Sequence, residues 1–143
     1  MNKRKKIVII ICIVLAVPLI FLLLLWFRNV RTVLDEPRTL SAKEETITVC
    51  YVNWACDCAD FIAQKNMKDK IQEDSCFFIE PADSSLKVPE NFYDTDRFHK
   101  ALVLTGRFYM HKGIPRSYEQ KTEEKPGKAR VFRYTVIKMV EKE

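Results

Sequence analysis

The chain has 143 residues, 48% hydrophobic and 30% charged, with five cysteines, three glycines and two histidines. That length accommodates one small domain beside an N-terminal segment, and not two domains. The formal charge of +5 suggests a nucleic-acid binder, but four of the 24 basic residues precede a long apolar run and all 19 acidic residues follow it. The remainder carries only +1, so a nucleic-acid partner loses its electrostatic support, and the lack of any repeat with a period of roughly 20–50 residues excludes a solenoid.

Residues 1–6 form a basic stub containing Lys3, Arg4, Lys5 and Lys6. Ile7 to Phe27 follows, 21 residues without a charge. As a helix it would be about 31 Å long at about 1.5 Å per residue, which matches a bilayer core of about 30 Å. A helix packed on a soluble core would carry a polar face, and this run has none. Pro18 would damage a water-exposed helix, yet membrane helices tolerate it, and Trp26 suits the headgroup region. The run is longer than the apolar part of a cleaved signal peptide, and no small-residue cleavage site follows Trp26-Phe27-Arg28. Cys12, preceded by three isoleucines, reads as a small apolar residue within the span and not as a lipid-attachment site. Residues 7–27 are therefore expected to be one uncleaved transmembrane helix whose partner is the lipid bilayer. The basic stub places the N-terminus in the cytoplasm and the C-terminal part outside.

Residues 28–45 read as a polar stalk, and 46–143 as an extracytoplasmic β domain. Thr46 to Val52 is rich in β-branched and aromatic residues. Asp60 to Ala63 reads as either a strand or a helical turn. Ser75 to Ile79 is a short apolar run ended by Pro81. Ala101 to Met110 alternates, with Leu102, Leu104, Gly106, Phe108 and Met110 on one face. Arg130 to Val140 alternates too, with Phe132, Tyr134, Val136 and Val140 on the expected inner face. Long polar connections separate these segments, at Pro81–Arg97 and His111–Lys128, and loops of that length commonly bind something. The pattern predicts a small five-stranded OB-like antiparallel barrel, in which Gly106 lets a strand bend as the barrel closes. A β-sandwich is the alternative, though it needs about seven strands.

Cys50, Cys56, Cys58 and Cys76 all follow the span. Four cysteines in an exported domain read first as disulfides. Pairing Cys56 with Cys58 is disfavoured because a one-residue spacer closes a small ring. This leaves Cys50–Cys56 with Cys58–Cys76, or Cys50–Cys58 with Cys56–Cys76. The same four thiolates are weak metal candidates, since their spacers depart from the usual zinc pattern. Ile47 to Cys58 superficially looks like a thioredoxin active-site strand, but its spacer is the single residue Asp57, and Asp57 and Asp60 would work against thiolate formation. His99 and His111 make no spaced pair, and Asp94 and Asp96 suit a turn. Arg107, Tyr109 and Arg133 could make a basic-aromatic outer face. No phosphate loop or catalytic set stands out, and no cofactor is expected.

Tyr51-Val52-Asn53-Trp54-Ala55-Cys56-Asp57-Cys58, Leu104-Thr105-Gly106-Arg107-Phe108-Tyr109 and Ala129-Arg130-Val131-Phe132-Arg133-Tyr134 together give the region Val49–Met139 a look that resembles uncharacterised small exported bacterial proteins, some membrane-anchored and some lipid-modified. The resemblance implies a bacterial inner-membrane protein with a periplasmic domain and brings no activity. The expected function is non-enzymatic interaction or ligand binding. The loop between the first and second expected strands, around Asn53–Asp60, and the loop between the fourth and fifth, His111–Lys128 with Arg116 and Lys121, would lie at the binding end. Another envelope protein is a candidate partner. The alternative function is thiol redox or metal handling at Cys56 and Cys58.

Overall fold

The computed structural model of the chain describes residues 12, 14–26, 35–67 and 71–142. These belong to two compact units that divide between Asp35 and Glu36. In the first, Cys12 and residues 14–26 are helical, and their apolar side chains are exposed. Among the described residues no helix is long and apolar enough to cross a membrane. The expected stub, residues 7–11, 13 and 27 of the expected span, and stalk residues 28–34 lie outside the described residues.

The second unit begins at Glu36, earlier than the expected boundary at residue 46. Its first residues dock on the end of a strand: Met110 N donates to Thr39 O at 2.8 Å, and Ser41 N donates to Phe108 O at 2.8 Å. A short polar segment with no alternation gives no sequence signal for this docking, because its strand-like contacts are made by backbone groups.

Five strands follow: β1 (Glu45–Tyr51), β2 (Phe61–Ala63), β3 (Phe77–Pro81), β4 (Lys100–Phe108) and β5 (Arg130–Glu141). They close into a barrel in the order β1-β2-β3-β5-β4, and β4 returns to β1. Four ladders are antiparallel, but β3 and β5 run parallel, with Phe77 opposite Arg130 and Pro81 opposite Tyr134. The expectation of an all-antiparallel barrel is corrected here, for a geometric reason. An odd number of strands cannot alternate direction around a closed ring, so one neighbouring pair must be parallel. The long β3–β4 connection supplies the crossover such a pair needs. It carries a short helix, Glu90–Asp94, whose Phe92 is fully buried against the barrel core.

The interior is filled by Val49, Phe61, Phe77, Leu102, Leu104, Phe132 and Tyr134, as alternation requires. A second cluster forms on the opposite face of the same strands, from Cys50, Ile62, Cys76, Phe78, Ala101 and Val131. Val52, Trp54, Tyr109 and Tyr118 pack onto it. Strands β2 and β3 thus bury both faces, which is why they read as continuous apolar runs without alternation.

In β5 the register shifts: Tyr134 lies opposite Gly106, but Val136 lies opposite Thr105, so Thr135 is the extra residue of a bulge. Beyond it the faces exchange. Ile137 and Met139 pack toward the interior, Val140 joins the outer cluster, and Val136 is 54% exposed. The expected inward placement of Val136 and Val140 is therefore corrected. On β4 the predicted inner face holds through Phe108, whereas Met110 is exposed. Gly106 faces the bulge so closely that a Cβ there would lie 2.1 Å from Arg133 O.

Candidate functional site

Two loops meet at one end of the barrel. The β1–β2 loop carries Trp54-Ala55-Cys56-Asp57-Cys58-Ala59-Asp60, and the β4–β5 loop carries Arg116 to Lys128. The latter loop is pinched at its base, where Gly113 N donates to Ala129 O at 2.8 Å.

Asp57 joins the loops. Its side chain is buried and accepts from Tyr118 Oη at 2.6 Å, Lys121 N at 2.7 Å and Thr122 N at 2.6 Å, and also from Thr122 Oγ1. Burial alone would raise this carboxyl, but the hydrogen bonds from Thr122, Tyr118 and Lys121 outweigh it and hold Asp57 ionised well below the usual carboxylate range. Asp60 makes the second tie, accepting from Lys121 Nζ at 2.7 Å. Burial pushes the Asp60 carboxyl up, with Lys121 opposing. Burial also works against the Lys121 ammonium, yet its bond to Asp60 prevails and raises it above the ordinary lysine value.

These ties frame an open cleft of about 590 Å³. Tyr51, Tyr93 and Tyr118 supply phenol rings along it, Asp60 and Lys121 supply a charged pair, and Phe78 and Ile79 bring in the adjoining strand. Tyr51 meets Phe61 and Tyr93 edge-on, each at 5.5 Å between centroids. Lys121 Nζ lies 5.8 Å from the Tyr51 centroid, in cation–π range. Lys87 and Glu119 also line the cleft, so its charges balance.

Burial pushes the phenols of Tyr93 and Tyr118 far up, so both remain hydrogen-bond donors. A lysine with a raised pKa stays protonated and serves neither as base nor as nucleophile. Asp57 spends its acceptor capacity on the β4–β5 loop.

Of the side chains singled out from the sequence for a binding face or loop, Lys121 lines this cleft, together with Asp60 and Tyr118 from the two loops expected at the binding end. Arg116 turns away, donating from Nε and Nη2 to Glu36 Oε2 at 3.2 and 2.9 Å. Arg107 reaches Glu44 at 3.3 Å, and Arg133 donates to Ala82 O at 3.1 Å. Tyr109 Oη donates to Glu80 at 2.6 Å, and burial together with that bond pushes its pKa up to about 12. Each side chain of the expected basic-aromatic face thus has a partner within the chain.

The cysteine expectation is also corrected. Cys56 and Cys58, the disfavoured pair, are joined, with Cα atoms 5.3 Å apart, and Cys50 and Cys76 are free and buried. The loop chain turns sharply enough to close the small ring, while the strands hold the other two thiols in the outer cluster. Burial pushes both free thiols up, with Lys142 opposing at Cys50 and Trp54 opposing at Cys76. The four sulfurs do not form one centre, and the described residues include no group of three or more His, Cys, Asp or Glu able to hold a metal. His99 and His111 are exposed.

Asp57, Asp60 and Tyr118 fall within the two loops expected at the binding end but were not singled out there, and Tyr51 and Tyr93 lay outside those loops and the expected face. One usable signal was Tyr118 beside Lys121 in a polar loop, where an aromatic residue has no core role by pattern. No protein-family model, curated protein or solved structure matches the chain.

Proposed function

We propose that the chain is a membrane-tethered, non-enzymatic binding protein whose OB-type barrel takes an oligosaccharide in the cleft between its β3–β4 connection and its β4–β5 loop, which Asp57 and Asp60 tie to the β1–β2 loop. The observation that carries this reading is the double tie of Asp57 and Asp60 to Tyr118, Lys121 and Thr122, which holds two loops around an aromatic, charge-balanced cleft. The strand order, the single parallel pair and the helix between β3 and β4 support the OB-type assignment. On such barrels the β1–β2 and β4–β5 loops frame sites for oligonucleotides or oligosaccharides. Oligonucleotide sites need a basic groove, and here Asp60 and Glu119 offset Lys87 and Lys121. Sugars present apolar C–H faces to phenol rings and hydroxyls to a charged pair, which matches the mixed lining. The uncharged 7–27 run and its basic flank support the tether, with the barrel outside.

Equilibrium binding of the β-1,4-linked N-acetylglucosamine tetramer to the full chain in detergent micelles tests the proposal. Saturable binding is expected, weakened about tenfold by Tyr93→Ala, since loss of one aromatic platform costs about 1 kcal/mol or somewhat more. No binding of this or other neutral oligosaccharides, with binding of an extended peptide instead, contradicts it.

A further inference from the structure

The Cys56–Cys58 disulfide flanks Asp57 on both sides, and Asp57 alone makes four of the bonds that hold the β4–β5 loop in place. This juxtaposition has a consequence. A disulfide between residues i and i+2 fixes the backbone of the residue between them. The ring therefore aims the Asp57 carboxylate across the gap to Tyr118, Lys121 and Thr122. The two sulfur-bearing residues are themselves half-exposed, whereas Asp57 is buried. The bond therefore lies in a loop outside the barrel strands, on residues that keep part of their surface open to solvent.

We propose that the Cys56–Cys58 disulfide is a redox latch on the cleft: oxidised, it sets Asp57 to hold the β4–β5 loop; reduced, it releases that loop. The reductant is a dithiol. One of its thiolates attacks a sulfur of the pair, the Cys56–Cys58 bond breaks, and a mixed disulfide forms. The second dithiol sulfur then displaces the chain's cysteine. The two electrons reside in Cys56 and Cys58 as thiols, their two protons come from the dithiol, and the dithiol leaves as a disulfide. Residues 56–58 regain backbone freedom, and that entropy now opposes the Asp57 contacts. Tyr118 and Lys121, which line the cleft, are released together, so the oxidised chain is the binding form. This last step rests on the cleft being the binding site; release of the loop does not.

Cys12, Cys50 and Cys76 are free, so this is the chain's one reducible bond. The backbone amides of Lys121 and Thr122 donate directly to Asp57 and report on the latch without any ligand. The experiment is amide hydrogen exchange on the full chain in detergent micelles, with and without dithiothreitol, the thiol count confirming reduction. The amides of Lys121 and Thr122 are expected to exchange about tenfold faster in the reduced chain, matching the freedom regained by about one residue. The amides of Leu102 and Leu104 in β4 are expected to keep their rates. The Cys56→Ser/Cys58→Ser double variant should behave as reduced with or without dithiothreitol. Unchanged exchange at Lys121 and Thr122 after complete reduction overturns the latch. Equal acceleration of loop and β4 amides overturns it too, because the bond would then staple the whole barrel. Oligosaccharide binding equal in both redox states, with the loop released, leaves the latch standing and counts against the cleft as the binding site.

Discussion

Asp57 accepts four hydrogen bonds from residues 61 to 65 positions further along the chain, and its ionised form is the one those donors favour. The depressed pKa therefore has a readable consequence for stability. An acid whose folded pKa lies below its unfolded value stabilises the fold fully above the unfolded value, about 3.9 for aspartate. That contribution is lost as pH falls below this toward the folded value. We expect Asp57→Asn to lower the midpoint of thermal unfolding at neutral pH, because an amide presents N–H groups where Thr122 and Lys121 also donate. The gap between wild type and variant should narrow on acidification below about pH 3.9. Unfolding curves recorded across that range check this, and a gap independent of pH would contradict the assignment. At the residue scale the sequence was partly readable: Asp57 and Asp60 were visible as acids beside cysteines. Their partners lie in another loop, and spacing along the chain carries no record of that meeting. Disulfide connectivity was hidden for a related reason, since ring size argues against the Cys56–Cys58 pair and only the local path of the loop permits it.

Among the elements, β1, β4 and β5 were legible because each is long and mostly alternates. β2 was ambiguous because it has three residues and buries both faces. The parallel β3–β5 ladder follows from strand number and closure, which no single segment encodes. The bulge at Thr135 was invisible for the same reason: the apolar residues Val136, Ile137, Met139 and Val140 satisfy either register, and the close approach of Gly106 to Arg133 selects one. This makes β5 a sharp place to test the fold. Ile137→Ala should cost about 1–3 kcal/mol by loss of interior packing. Val136→Ala, at an exposed position, should cost about 0.5 kcal/mol or less. Urea unfolding of both variants decides the register, and the reverse order of costs would place the bulge wrongly.

For the whole molecule, the division at Asp35 and Glu36 matters as much as the barrel. The barrel unit includes what the sequence suggested was the far half of a stalk, and its Glu36 holds Arg116 of the β4–β5 loop at 2.9 Å. The chain entering the barrel therefore touches the loop that frames the cleft, although this exposed ion pair adds little stability by itself. Sequence composition anticipated the near-neutral charge beyond residue 27, which now extends to a charge-balanced cleft. It did not anticipate the aromatic lining, because Tyr51, Tyr93 and Tyr118 come from a strand, a helix and a loop that only the closed fold brings together. The most direct measurement is a map of where the N-acetylglucosamine tetramer touches the oxidised full chain, by amide exchange with and without the sugar. Added protection is expected to be confined to residues 51–60, 84–93 and 117–122. Protection spread over the outer faces of β4 and β5, around Arg107 and Arg133, or none at all, would contradict it.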